Sequence, residues 1–146
     1  LKRRLTSAKL QQHACIEDIS YDNHRGVAKA KMLELSHNQW LQYKLNLLIT
    51  GSTGCGKTYI ACALAHRGCL DGYTCRYYRL PGLWEELKIA RANGTYAQCL
   101  GKLAKLDLLI LDDWGLVPLD GERRQDLLEI LDDRYQKRST ILGLFN

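Results

Sequence analysis

Short continuous apolar runs alternate along this chain with longer segments in which apolar residues recur every three or four positions. Residues 45–50 (LNLLIT) and 107–111 (DLLIL) are of the first kind, 74–78 (TCRYY) is also strand-like, and 140–142 begins a fourth strand. Such runs suit strands covered on both faces, and the segments between them have helical spacing. The first part, 1–43, is helical in tendency. Within it, 28–43 joins strong helix formers to spaced apolar positions at Met32, Leu33, Leu35, Trp40 and Leu41.

The breaks between elements have their own chemistry. A helix is predicted over 57–70, with Gly72 as its stop. Pro81 suits the first turn of a helix reaching about residue 92, with Leu83, Leu87 and Ala90 on one face. Asn93-Gly94 ends it, and a shorter helix follows to about residue 105. Asp120 can cap a last helix in which Leu127, Leu128, Leu131 and Tyr135 recur at helical spacing. Strands alternating with helices predict an α/β fold, a parallel sheet flanked by helices. The division expected is a basic arm with a helical segment over 1–43 and an α/β core over 44–146.

Composition narrows the function classes. The 146 residues, 46% apolar and 25% charged, are those of an ordinary globular domain. No apolar run reaches the roughly 20 residues of a membrane span, and the opening LKRRLTSAKLQQ lacks the apolar core of a secretory signal. Of the net charge of +5, Lys2, Arg3, Arg4 and Lys9 carry +4 before the first acidic residue, Glu17. Such an arm either meets a phosphate backbone or is a solvated terminus. The six cysteines form no C-x-x-C pair and have no zinc-like spacing to the histidines. They read as small buried hydrophobes, which places the chain in a reducing cytoplasm.

The chemistry lies in LITGSTGCGKTYIACALAH, residues 48–66. Gly51, Gly56, Lys57 and Thr58 meet the pattern G-x-x-x-x-G-K-[ST], between an apolar strand and a helix. In this loop, Gly51, Ser52, Thr53, Gly54, Cys55, Gly56, Lys57 and Thr58 are the expected phosphate-binding residues. Glycines let consecutive N–H groups converge on an anion, and the helix start adds positive charge there. Lys57 supplies a full charge to the β and γ phosphates, and the Thr58 hydroxyl can ligate Mg²⁺. Cys55 reads as a tolerated small side chain. The second half of the site is LDLLILDDWG. Asp112 follows an apolar strand, where a P-loop protein places the carboxylate that supports Mg²⁺. Asp113 comes next, as a candidate general base for the attacking water.

With both motifs in view, the chain resembles the IstB-like ATPases, helper proteins of insertion-sequence transposases in the AAA+ superfamily and relatives of the DnaC-type helicase loaders. The resembling segments are CIEDISYD, LNLLITGSTGCGKTYIACALAH, YYRLPGLWEELKIARANGTY, LDLLILDDWGLVPL and RRQDLLEILDDRYQKRSTI, together about 15–141. Ser52 stands where the family usually has Pro. The resemblance implies an AAA+ P-loop fold that binds ATP with Mg²⁺, forms homo-oligomers on duplex DNA without sequence preference, and assists a cognate transposase. It also implies that Ile19 and Tyr21 border the adenine, and that the basic arm, Arg76 and Arg79 face DNA.

After RSTI the family carries a polar sensor of Thr, Ser and Gln residues, whereas this chain has Gly143, Leu144 and Phe145 before Asn146. The family's last core strand, C-terminal lid and later arginines have no counterpart here. An arginine finger contributes about 10³–10⁵-fold to phosphoryl transfer in P-loop enzymes. The ending therefore reads as a truncated or frameshifted copy or a partial gene product. ATP binding is expected ahead of turnover, and the shortened end argues against oligomer assembly by this chain. The alternative is a non-hydrolysing DNA- or transposase-binding module or degenerate remnant. A small-molecule P-loop kinase is disfavoured, because Asp112-Asp113 suits water activation and no acceptor site or arginine lid is evident.

Overall fold

The computed structural model describes residues 2–16, 29–51, 56–115 and 119–145. Four parallel strands, β1 (Leu47–Gly51), β2 (Cys75–Arg79), β3 (Leu108–Trp114) and β4 (Ser139–Phe145), form one sheet in the order β1-β4-β3-β2. Between and before them run α1 (Lys2–Ala8), α2 (Lys29–Ser36), α3 (Gln39–Gln42), α4 (Lys57–Leu70), α5 (Leu80–Asn93), α6 (Tyr96–Lys105) and α7 (Gly121–Arg134). Two apolar layers cover the sheet. Leu108, Ile110 and Ile141 pack with α4 and the early helices, while Leu109 and Leu111 pack with α5, α6 and α7. Alternation along β3 thus sends successive side chains into two different cores. Among the described residues, no helix is long and apolar enough to cross a membrane.

The predicted helix over 57–70 and the breaks at Gly72 and Gly94 agree with the structure. Both glycines have φ in the left-handed region, and Gly94 caps α5. Asp120 caps α7, its side chain accepting from Arg123 N–H at 2.8 Å.

Elsewhere the structure corrects the pattern. The helical tendency over 28–43 is realised as two helices parted at Asn38, which takes a left-handed φ of 60° and donates from Nδ2 to Asp71 Oδ2 at 2.6 Å. The opening segment is neither a loose arm nor wholly solvent-facing. Helix α1 buries Ala8 completely and packs Leu5 on the α4 side, and Arg4 Nε donates to the Cys69 carbonyl at the end of α4, 2.8 Å away. Lys2, Arg3 and Lys9 remain exposed. The fourth strand begins where expected, at Ser139. It continues to Phe145, pairing with β1 on one side and β3 on the other. Among the described cysteines, Cys15, Cys62, Cys69, Cys75 and Cys99 are free thiols, and Cys62, Cys69 and Cys75 are buried as expected.

The largest misreading is the inner face of α7. Leu127 is buried, but Leu128 and Tyr135 are exposed, and the inward positions are Asp126, Leu127, Ile130 and Arg134. Apolar spacing misleads because two charged residues occupy that face with their partners supplied. Asp126 accepts from Arg91 and from the Tyr96 hydroxyl, tying α7 to α5 and α6. Arg134 donates to the carbonyls of Leu103 and Leu106, each at 2.7 Å, to the Ser139 carbonyl, and to Thr140 Oγ1 at 3.0 Å. Burial lowers its pKa to about 10, and Arg138 adds to the effect.

Arg134 therefore joins α6, α7 and the start of β4 by satisfying main-chain acceptors that are buried or partly buried. Replacing it with Met should cost about 2–4 kcal/mol, because several buried carbonyls lose their donor. Leu128→Ala, on the exposed side of α7, should stay within about 0.5 kcal/mol of the parent. Urea denaturation of the two variants checks the assignment of the inner face; equal losses would reject it.

Candidate functional site

The site forms at the C-terminal ends of the strands, where β1 leads through the glycine-rich loop into α4. Residues Ser52, Thr53, Gly54 and Cys55 lie outside the described residues, as do Ile19 and Tyr21. The flanking positions are described: Gly51 ends β1, and Gly56 precedes α4 with φ +80°. That left-handed conformation is cheap only for glycine. No side chain caps α4, so its first-turn N–H groups have no side-chain acceptor from Gly56.

Lys57 and Thr58 open α4 and point at the end of β3. Lys57 is 6% exposed and Asp112 1%, so the ion pair between them is shut away from water. Lys57 Nζ donates to Asp112 Oδ1 at 3.0 Å, and Thr58 Oγ1 donates to Asp112 Oδ2 at 2.7 Å. Two further donors complete the carboxylate's partners: Asp113 N–H to Oδ1 at 2.9 Å, and the Tyr77 hydroxyl to Oδ2 at 2.7 Å. Burial pushes the Asp112 carboxyl up, but the hydrogen bonds from Tyr77, Thr58, Lys57 and Asp113 outweigh it. The group is held below the usual carboxylate range. Burial and its bond to the carboxylate hold the Tyr77 phenol well above its ordinary value. The sequence motifs brought Lys57, Thr58 and Asp112 together; they did not mark Tyr77. Only the alternation of β2, which sends Cys75 and Tyr77 to the α4 side, carried a signal for it.

Asp113 is placed differently. The pairing of β3 with β4 runs in register to Leu111↔Leu142 and resumes at Trp114↔Leu144, so Asp112 and Asp113 together oppose Gly143. This is a bulge, and Asp113 has the left-handed φ of 65° that Asp tolerates better than most residues. The kink lets the two carboxylates follow one another in sequence yet meet different partners. Asp113 forms an ion pair with Arg79 Nε at the end of β2, which raises the Arg79 pKa. Arg76 lies over the Tyr78 ring, 4.1 Å from its centre. The two arginines expected to face DNA are thus engaged within the chain, although Arg79 is still half exposed.

The donor set fits a small divalent cation. Thr58 Oγ1 is a hard oxygen donor whose proton Asp112 Oδ2 accepts, which leaves its lone pairs for Mg²⁺, a cation held by one or two protein oxygens together with phosphates. Among the described residues, no three of His, Cys, Asp or Glu converge into a metal cage. A cation here would therefore draw its remaining ligands from the nucleotide and from water.

Gly143 is the second residue that motif reading could not rank. A Cβ added to it would lie 2.2 Å from Asp112 Oδ1 and 3.1 Å from its Cγ. The carboxylate thus rests directly on the main chain of β4, in the space where any other residue would put its side chain. Gly143→Ala should cost about 1–3 kcal/mol, because the crowded atoms belong to a side chain pinned by four donors. Gly101→Ala is the counterpart: a Cβ on α6 there meets nothing within 4 Å, and the gain should be about 0.5–1 kcal/mol. Thermal unfolding of the pair checks both signs; a neutral Gly143→Ala would mean that the carboxylate has somewhere else to go.

Comparison with known proteins gives the family and the fold. The family of IstB-like ATP binding proteins matches residues 1–144. An insertion sequence IS1162 protein of Pseudomonas fluorescens, named as ATP-binding, is 46% identical over 143 residues, covering 97% of this chain and 62% of the relative. The insertion-sequence protein y4pL of Sinorhizobium fredii, also named as ATP-binding, is 46% identical over 142 residues, covering 97% and 58%. The chain thus spans about 60% of the length of these relatives. Among solved structures, the DnaC helicase loader superposes with a TM-score of 0.77 at 22% identity, covering all of this chain and 81% of the loader. AMPPCP-bound DnaA from Aquifex aeolicus gives 0.78 at 21%, covering 92% and 43%. The fold is that of an AAA+ P-loop NTPase domain. With the match running from residue 1 to 144, the chain belongs to the IstB-like ATP binding protein family.

Proposed function

We propose that this chain is the ATP-binding core of a helper protein of DNA transposition, which binds Mg-ATP and assists a transposase on target DNA. The observation that carries the nucleotide part is the buried Lys57–Asp112–Thr58 cluster at the start of α4. A lysine and a metal-ligating hydroxyl meet the same carboxylate beside a glycine loop and a helix N-terminus, which is the equipment for a triphosphate and its cation. In this reading the main chain of Gly51 to Gly56 cradles the phosphates and Lys57 neutralises the β and γ groups. Thr58 and Asp112 hold Mg²⁺, and Asp113 is the general base. Bound Mg²⁺ supplies charge neutralisation across the phosphates. The insertion-sequence relatives support the transposition part.

Lys57→Ala should remove measurable binding of a fluorescent ATP analogue, in a sample whose circular dichroism shows it to be folded. Unchanged affinity would reject the phosphate site. A second reading, a module that holds ATP without hydrolysing it, is favoured by the Arg79–Asp113 ion pair, since a carboxylate oxygen occupied by a guanidinium is not open to water. Phosphate release above background that falls about 10²–10⁴-fold in Asp113→Asn supports the hydrolytic reading. Background release from both proteins supports the second.

DNA contact through the leading residues is tested without removing α1, because Leu5 and Ala8 belong to the core. Lys2→Gln, Arg3→Gln and Lys9→Gln together neutralise the exposed charges. The triple variant should flatten the salt dependence of duplex binding by about one unit of slope for each phosphate that these side chains neutralise. An unchanged slope returns these residues to solvent.

A further inference from the structure

We propose that Tyr77 is a positioning residue for the divalent cation: its hydroxyl pins Asp112 Oδ2 so that the Thr58 hydroxyl turns its lone pairs toward the metal. The inference rests on reading Lys57, Thr58 and Asp112 as the Mg-ATP site. Tyr77 and Thr58 donate to the same carboxylate oxygen, each at 2.7 Å. Lys57 Nζ and Asp113 N–H occupy the other. A carboxylate offers about four acceptor positions, and all four are filled.

The four donors differ in how freely they can leave. Lys57 sits on a long flexible stem and is the donor that a triphosphate attracts. The Asp113 N–H is main chain. Thr58 must keep its proton on an acceptor if its oxygen lone pairs are to face a cation. Tyr77, 5% exposed, has a ring fixed among Cys62, Ile110 and other core residues on the α4 side, with only its hydroxyl reaching the site. As Lys57 moves to phosphate, Tyr77 is the side-chain donor that holds Oδ2 where Thr58 needs it. Such outer partners of metal-ligating groups fix the orientation of the ligands they touch.

A buried phenol needs an acceptor in any protein, so a purely structural role for the hydroxyl is the competing account. The dependence of nucleotide binding on Mg²⁺ separates the two. Binding of a fluorescent ATP analogue is titrated with Mg²⁺, and measured again in EDTA, for the wild-type chain, Tyr77→Phe and Tyr96→Phe. Tyr96 makes a comparable bond to buried Asp126 on the other side of the sheet and serves as the structural control. Tyr77→Phe should need about 10-fold more Mg²⁺ for half-saturation, with its affinity in EDTA unchanged. Tyr96→Phe should follow the wild-type curve. Tyr77→Met, which also lacks the hydroxyl, carries the same test if the Phe variant does not fold. A Tyr77→Phe curve that superimposes on a Mg²⁺-dependent wild type overturns the inference alone. A wild type that binds no nucleotide, with or without Mg²⁺, overturns the underlying site reading and the inference with it.

Discussion

A carboxylate buried to 1% exposure must be met by donors on every side, and Asp112 draws its donors from three elements of the fold. Two come from the first residues of α4, one from the middle of β2, and one from the main chain of β3 itself. Each donor sets a condition on the sequence. The glycine loop must deliver Lys57 and Thr58 to the end of the neighbouring strands. Strand β2 must carry a side chain long enough to reach Asp112 from a position paired with Ile110, which a tyrosine does. Strand β4 must leave room, which only a glycine does. Leaving such a charge without its partners is far more costly than any one hydrogen bond is favourable, so these conditions are coupled.

The opposite layer is organised by the same principle with the charges reversed in emphasis. There, Arg134 carries a buried cation satisfied by carbonyls and a hydroxyl, and Asp126 carries a buried anion satisfied by Arg91 and Tyr96. Neither residue lies in a sequence motif for ligand binding. Their placement joins α5, α6, α7 and β4 into one layer against Leu109 and Leu111, while Asp112 joins α4, β2 and β3 in the other. Buried ions thus set how the helices register on both faces of the sheet, and the apolar residues fill the space between them.

This explains what the sequence revealed and what it hid. Helix α4 and the breaks at Gly72 and Gly94 were legible because each depends on local backbone preference. The meeting of Lys57, Thr58 and Asp112 was legible because the two motifs that carry them fall at the start of a helix and the end of a strand. The inner face of α7 was not, since apolar periodicity treats Asp126 and Arg134 as surface positions, and their partners lie about 30 residues away or on a main chain. The break at Asn38 was hidden for a similar reason: its side chain finds Asp71, 33 residues on. Nor could Tyr77 be picked out among the eight tyrosines of the chain, because its role depends on the register of β2 with β3.

Gly143 shows most sharply how the fold can reverse the meaning of a residue. The family resemblance led to an expectation of polar side chains near the end of β4, and the glycine there looked like a loss. In the folded chain that position faces Asp112, whose carboxylate fills the volume a side chain would take. The bulge opposite Gly143 turns Asp113 away toward Arg79. Two side-chain partners of these carboxylates therefore come from β2, through Tyr77 and Arg79, while β4 contributes a close-packed main-chain surface. A polar residue could not simply be restored at 143, since its Cβ alone would displace the carboxylate that Lys57, Thr58 and Tyr77 hold in place.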